Sequence, residues 1–171
     1  MNHRSSRPAG ASPSDPRPPL PQVTGENEFF WTSGADDTLR IQECQGCSSL
    51  IHPPQPVCRY CGSHDLKAKP VSGKAVLSAF TVNERFSIPG LPAPYVVAQV
   101  AIQEDPRVRL TTNIIDADPA DLELGQLVEV VFEQNDDVYL PLFRPVTRNR
   151  SPSSRPTRSP RRTSPSMSGR R

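Results

Sequence analysis

Histidine, glycine and aromatic residues are scarce in this chain, and each shortage removes a class of function. Of 171 residues, three are histidine, nine glycine and 6% aromatic. His3 lies near the start, His52 and His64 border a cysteine cluster, and no histidine falls between 71 and 143. A nucleophile–base pair therefore has almost no candidates. No glycine-rich phosphate loop is present, and Gly34 and Gly90 read as turns. No run approaches the ~18 apolar residues of a membrane helix. Residues 1–24 carry charge but no apolar segment of the secretory kind. No stretch has the long helical periodicity of a βαβ fold. The paired acids Asp36/Asp37 and Asp136/Asp137 lie in turn-like sequence and read as solvated. These absences argue against autonomous catalysis and predict a soluble, cytoplasmic protein.

Proline and charge are unevenly spread. Residues 1–24 hold six prolines and almost no large apolar side chain. Residues 147–171 are an Arg/Ser/Pro-rich run of low complexity. Neither segment can bury enough apolar surface to offset the entropy of ordering, so both are expected to be disordered. From Arg144 onward there are nine arginines and no acid, whereas residues 25–143 hold 8 basic and 17 acidic residues, a net of −9. The foldable part, about 25–146, is acidic, and the tail that follows it is basic.

What the chain does have is four cysteines in two C-x2-C pairs, Cys44/Cys47 and Cys58/Cys61, within 18 residues. A C-x2-C turn presents two sulfurs to one ion, and two such turns complete the four-thiolate tetrahedron that zinc prefers. With every position filled by protein, no site stays open for water, so the metal is structural. Spacing alone does not separate zinc from iron, which takes the same ligands in rubredoxin-like sites. Gly62 follows the second pair, where a positive φ is often needed, and Ser48 follows the first. With four thiolates available, His52 and His64 read as bystanders.

Around this cluster the pattern is β. Thr24 is positioned to cap a short helix anchored by Phe29, Phe30 and Trp31. Thr38–Glu43 alternates apolar and polar, as a strand entering the first cysteine turn does. Strand-like runs follow at Lys74–Val82, Tyr95–Gln103, Arg107–Ile115, Leu127–Gln134 and Tyr139–Phe143. Turn chemistry separates them, with a short helical turn expected within Pro119–Leu124. Five short strands suggest a small closed Greek-key barrel. The chain divides into an arm (1–24), a helix and zinc ribbon (25–70), a five-stranded OB-fold barrel (71–146) and a tail (147–171).

The ordered series FFW, TLRIQECQGC, HPPQPVCRYCGS, VSGKAVLSAFTV, APYVVAQVAI, RLTTNII, DLELGQLVEVVFE and LPLFRP resembles a two-part family over residues 26–146. Its members join a rubredoxin-like zinc ribbon to an OB-fold and were long catalogued as a domain of unknown function. The resemblance implies a small non-catalytic partner of thiolase-like enzymes, including aldolases acting on steroid side-chain acyl-CoA thioesters, or of hot-dog-fold hydratases. It also implies zinc at Cys44, Cys47, Cys58 and Cys61, a complete ligand set. In some relatives the small chain helps to line the CoA channel. Phe86, Pro94 and Tyr95 sit in or beside the loop before the second barrel strand, where an OB-fold commonly meets a ligand, and are the candidate acyl-CoA contacts. Barrel packing is the simpler account of all three.

A nucleic-acid-binding module is the competing class, since OB-folds and zinc ribbons both serve it. That function needs a positive groove with aromatic platforms. The barrel carries 4 basic and 11 acidic residues between 71 and 143, which opposes phosphate-driven affinity. Only the arginine-rich tail offers salt-sensitive, non-specific binding.

Overall fold

The chain alternates between short irregular pieces and strands, most of whose buried apolar residues converge on one interior. The computed structural model describes residues 19–85 and 91–146. The readings of residues 1–18, of Phe86 and Gly90, and of the basic tail from 147 lie outside the described residues.

Helix α1 is a single turn, Glu28–Trp31. Its N-cap is Asn27, not Thr24, and no side chain caps it. Thr24 contributes its carbonyl, which accepts from the Asn27 and Glu28 amides at 3.1 and 2.9 Å. Asn27 Oδ1 accepts from the Thr24 amide at 2.8 Å. The chain is thus folded back on itself one residue before the helix, which removes Thr24 from the capping position. A 3-10 turn, Ser33–Asp36, follows. Phe30 is buried and packs edge-on against Trp31, with ring centroids 4.8 Å apart.

Three strands then form a small antiparallel sheet in the order β2-β1-β3: β1 is Arg40–Cys44, β2 Leu50–Ile51 and β3 Leu66–Pro70. The alternation in TLRIQE works as expected for Leu39 and Ile41, which are fully buried. Gln42 is buried as well, and the backbone of Gln55 satisfies its carboxamide. Its Nε2 donates to the Gln55 carbonyl and its Oε1 accepts from the Gln55 amide, both at 2.9 Å. Satisfied in this way, a buried amide costs little.

The remaining strands close into a barrel in the order β4-β5-β6-β8-β7, with β7 returning to β4. They are β4 Lys74–Asn83, β5 Tyr95–Ile102, β6 Arg109–Ile114, β7 Leu127–Asn135 and β8 Val138–Pro145. Pairing is antiparallel except between β6 and β8, which run parallel where Ile114 meets Phe143. This is the five-stranded OB arrangement the sequence predicts. The turn expected within Pro119–Leu124 is a 3-10 turn over Pro119–Asp121, with the Asp118 carboxylate accepting from the Ala120 amide at 2.9 Å.

The two sheets share a core. Phe30, Leu39, Ile41 and Leu50 belong to the same buried cluster as Leu77, Val100, Leu110, Val128 and Phe143 of the barrel. Gly34 shows how closely the parts meet. A Cβ there would lie 2.5 Å from Tyr139 Cβ and 2.7 Å from the Phe132 ring, so only glycine lets the 3-10 turn rest on β7 and β8. The link between sheets is also bonded: the Val71 amide donates to the Leu39 carbonyl at 2.9 Å, and the Ser72 amide to Glu104 Oε1 at 2.6 Å.

Candidate metal centre

The two C-x2-C segments fold into matching loops. In the first, the Ser48 amide donates to the Cys44 carbonyl at 2.7 Å and the Cys44 amide to the Ser49 carbonyl at 3.0 Å. In the second, Gly62 donates to Cys58 at 2.8 Å and Cys58 to Ser63 at 2.9 Å. Each loop reverses through a left-handed residue at the same position, Ser48 with φ 57° and Gly62 with φ 75°. Serine there accepts a modest strain that glycine avoids. β1 delivers Cys44, and the Gln45 amide bonds the Asp65 carbonyl at 2.9 Å, joining the first loop to the segment entering β3.

This geometry brings all four sulfurs within 4.8 Å of one another. Cys44 Sγ lies 3.5 Å from Cys61 Sγ, and Cys47 Sγ lies 3.7 Å from Cys58 Sγ. A tetrahedron with ~2.3 Å metal–sulfur bonds has sulfur–sulfur edges of ~3.8 Å. The four positions therefore fit a single ion. Cys44 and Cys58 are buried, whereas Cys47 and Cys61 reach the surface. The site is packed against Ile51 and Leu66 and closed on its inner side.

The electrostatics also fit a cation. Hydrogen bonding from the Ser49 hydroxyl and then its amide brings the Cys47 thiol down to about 6. Cys61 is assisted by the Ser63 amide, but crowding by the Cys44 and Cys47 sulfurs outweighs it and pushes the thiol up to about 12. Some of these thiols ionise readily and one resists, as expected where four sulfurs share a space without a positive charge between them. A divalent ion would supply that charge.

The structure keeps both nearby histidines out of the sulfur cluster. His52 packs on Phe30, with ring centroids 4.8 Å apart, and its Nδ1 is buried without a partner among the described residues. Burial brings its pKa down to about 4. His64 is exposed and lines a groove of about 310 Å³ with Glu26, Phe29, Gln42 and Lys67.

Of the candidate acyl-CoA contacts, Pro94 is exposed and Tyr95 half-buried at the start of β5. Asn83 Nδ2 donates to Tyr95 Oη at 2.7 Å. A second groove of about 310 Å³, mostly apolar, runs over β4, β5 and β6 past Phe80, Thr81, Val97 and Gln99, but neither Pro94 nor Tyr95 lines it. No helix among the described residues is long and apolar enough to cross a membrane.

Sequence reasoning passed over the serines beside the ligands. Both loops read C-x2-C-x-S, and Ser49 Oγ lies 3.3 Å from Cys47 Sγ. The repeated serine was the available signal.

With the geometry established, comparison with known proteins places the chain. Residues 31–67 match the family described as "ChsH2, rubredoxin-like zinc ribbon domain", and residues 68–133 match "ChsH2, C-terminal OB-fold domain". A protein of Methanothermobacter thermautotrophicus described as a "DUF35 domain-containing scaffold protein" is 33% identical over 102 residues, 56% of this chain and 72% of its own length. The chain belongs to the ChsH2 (DUF35) family. It is also 34% identical over 128 residues to the "Probable enoyl-CoA hydratase alpha subunit" of Thermomonospora curvata, covering 74% of this chain. It spans only 40% of that relative's length. Among solved structures, the fold matches a chain of the "Ltp2-ChsH2(DUF35) aldolase" with a TM-score of 0.68 and 32% identity, over 74% of this chain and 98% of that one. As a ChsH2-family member, the chain has both the zinc-ribbon and the OB-fold parts, in the family order.

Proposed function

We propose that this chain is a non-catalytic accessory subunit that docks on a thiolase-like enzyme or an acyl-CoA hydratase and holds one structural zinc ion. The observation that carries the reading is the match across ribbon and barrel together to a chain of an aldolase complex, at 32% identity over 98% of that chain. The hydratase-subunit and scaffold names of other relatives point the same way. Cys44, Cys47, Cys58 and Cys61 would hold the zinc, which supplies a fixed cross-link and no reaction chemistry. Four thiolates around one divalent ion leave a net charge near −2 and no open coordination position. The chain's own part is mechanical. Ribbon 25–70 and barrel 71–146 share one core, so the pair presents a single rigid surface to the enzyme. Pro94 and Tyr95 are proposed to face the acyl-CoA channel, with the Tyr95 phenol oriented by Asn83.

The test is affinity capture of the tagged full chain from its native lysate, with identification of what co-purifies and metal analysis of the eluate. The expected result is a stoichiometric thiolase-like or hydratase chain and one zinc per protein. Nucleic acid in its place, removable by salt, would support the competing binding-module reading and refute this one.

A further inference from the structure

Tyr60 stands out on this surface. It is 47% exposed, one of few large apolar side chains that are. It lies between Cys58 and Cys61, so its backbone is pinned on both sides by the proposed ligands. Two guanidinium groups hold its ring: Arg59 Cζ is 5.1 Å and Arg107 Cζ 5.8 Å from the ring centroid. Arg107 comes from the turn between β5 and β6 and is itself fixed. Its Nε and Nη2 donate to Asp105 Oδ1 and Oδ2 at 3.0 and 2.8 Å, and its amide donates to Oδ1 at 3.0 Å. Ribbon and barrel thus meet at this cluster, each contributing a cation to one exposed ring.

Tyr60 belongs to neither buried cluster. Exposed cation–π contacts are individually weak, too weak to account for the arrangement as a stabilising device. As a contact point it is well prepared. A ring already ordered by two neighbours loses little rotamer freedom on binding, and tyrosine and arginine are enriched among the few residues that dominate protein interfaces. Neither groove described above reaches it, and small ligands favour concave sites. The two arginines differ. Asp105 neutralises Arg107, whereas Arg59 forms no ion pair with a carboxylate among the described residues. In a folded part with net charge −9, Arg59 offers an exposed positive charge beside the ring, and a planar fork of this kind matches a carboxylate.

We infer that Arg59, Tyr60 and Arg107 form the docking hot spot for the partner protein, with Tyr60 entering an apolar recess and Arg59 clamping a carboxylate on its rim. The inference rests on the accessory-subunit reading and adds to it the residues that bind. The zinc loop is then part of the interface, because its two ends set where Tyr60 stands.

The test uses the thiolase-like or hydratase chain captured by the wild type, purified and titrated against full-length variants by calorimetry at two salt concentrations. Tyr60→Ala is expected to weaken binding at least tenfold and Tyr60→Phe less than threefold. Arg59→Gln should weaken it three- to tenfold and flatten its salt dependence. Zinc content and thermal melting should match the wild type. If Tyr60→Ala loses zinc, Arg59→Gln and Arg107→Gln decide the matter, since neither side chain hydrogen-bonds a cysteine sulfur among the described residues. Wild-type affinity in zinc-loaded Tyr60→Ala and Arg59→Gln would overturn the hot spot while leaving the accessory reading intact. A wild type that captures no such chain overturns both. A fluorescein-labelled single-stranded oligonucleotide bound by the wild type and lost in Tyr60→Ala would also overturn the protein-partner assignment.

Discussion

The ribbon and the barrel are held together by different means. The barrel buries an interior of Leu77, Val100, Leu110, Val128 and Phe143 and closes its own hydrogen-bonded edges. The metal end of the ribbon has a small apolar cluster, little more than Ile51 and Leu66 beside two cysteines. Strand β2 is two residues long, and β3 is mostly exposed. The barrel is stabilised by area removed from water, the metal end of the ribbon by a proposed ion that four side chains share. A protein can therefore carry a stiff protruding loop without building a core beneath it.

The largest effect should come from attacking the ion. Cys58→Ser is expected to lose zinc and the order of β1 to β3, because binding a structural zinc is worth ~10–16 kcal/mol in small ribbons at pH 7. Partner binding should go with it, and barrel strands should keep part of their amide protection. Metal analysis with hydrogen exchange reads all of this. A metal-free variant with protected ribbon amides and intact partner binding would defeat the structural role. The converse attack is Phe143→Ala, which empties the barrel centre. It should cost ~3–5 kcal/mol in chemical denaturation while the native state still holds its zinc. Loss of zinc at full barrel stability would mean that the assignment of roles is reversed.

Gly34→Ala strikes the seam. Its methyl group would meet Tyr139 and Phe132, and overpacking of this kind costs ~1–3 kcal/mol. Two unfolding transitions in place of one would show that the seam couples the halves. The gentlest probe is pH. His52 is buried on Phe30 and neutral in the fold, with its pKa depressed to about 4. The unfolded chain, near ~6.5, binds the proton first. The stabilising contribution of the neutral ring is complete above pH 6.5 and is lost as pH falls from there towards 4. Thiol protonation adds its own slope, so the comparison is with His52→Phe. Between pH 6.5 and 5 the wild type should lose stability faster by up to ~1.4 kcal/mol per pH unit. Parallel slopes would remove His52 from the account.

The barrel was legible in the sequence because its strands are short β-rich runs bounded by turn residues, and the expected ends agree with the observed ones within about two residues. The sulfur cluster was legible because C-x2-C spacing leaves few other geometries. What escaped was structure supplied by partners. β2 and β3 are strands only because β1 lies between them, and a Lys-rich LKAKP has no pattern of its own. Thr24 missed the capping position because Asn27 folds the preceding turn back. Arg107 reaches Tyr60 across 47 positions of sequence, and no local motif encodes that approach.

The contact of Gly34 with Phe132 and Tyr139 also sets an order of events during synthesis. The ribbon leaves the ribosome first, yet the surface it rests on is made about a hundred residues later. At ~5–20 residues per second, Phe30, Leu39 and Leu50 wait several seconds for β7 and β8. A nascent chain that already holds its ion would spend those seconds with its knuckles set and its inner face bare.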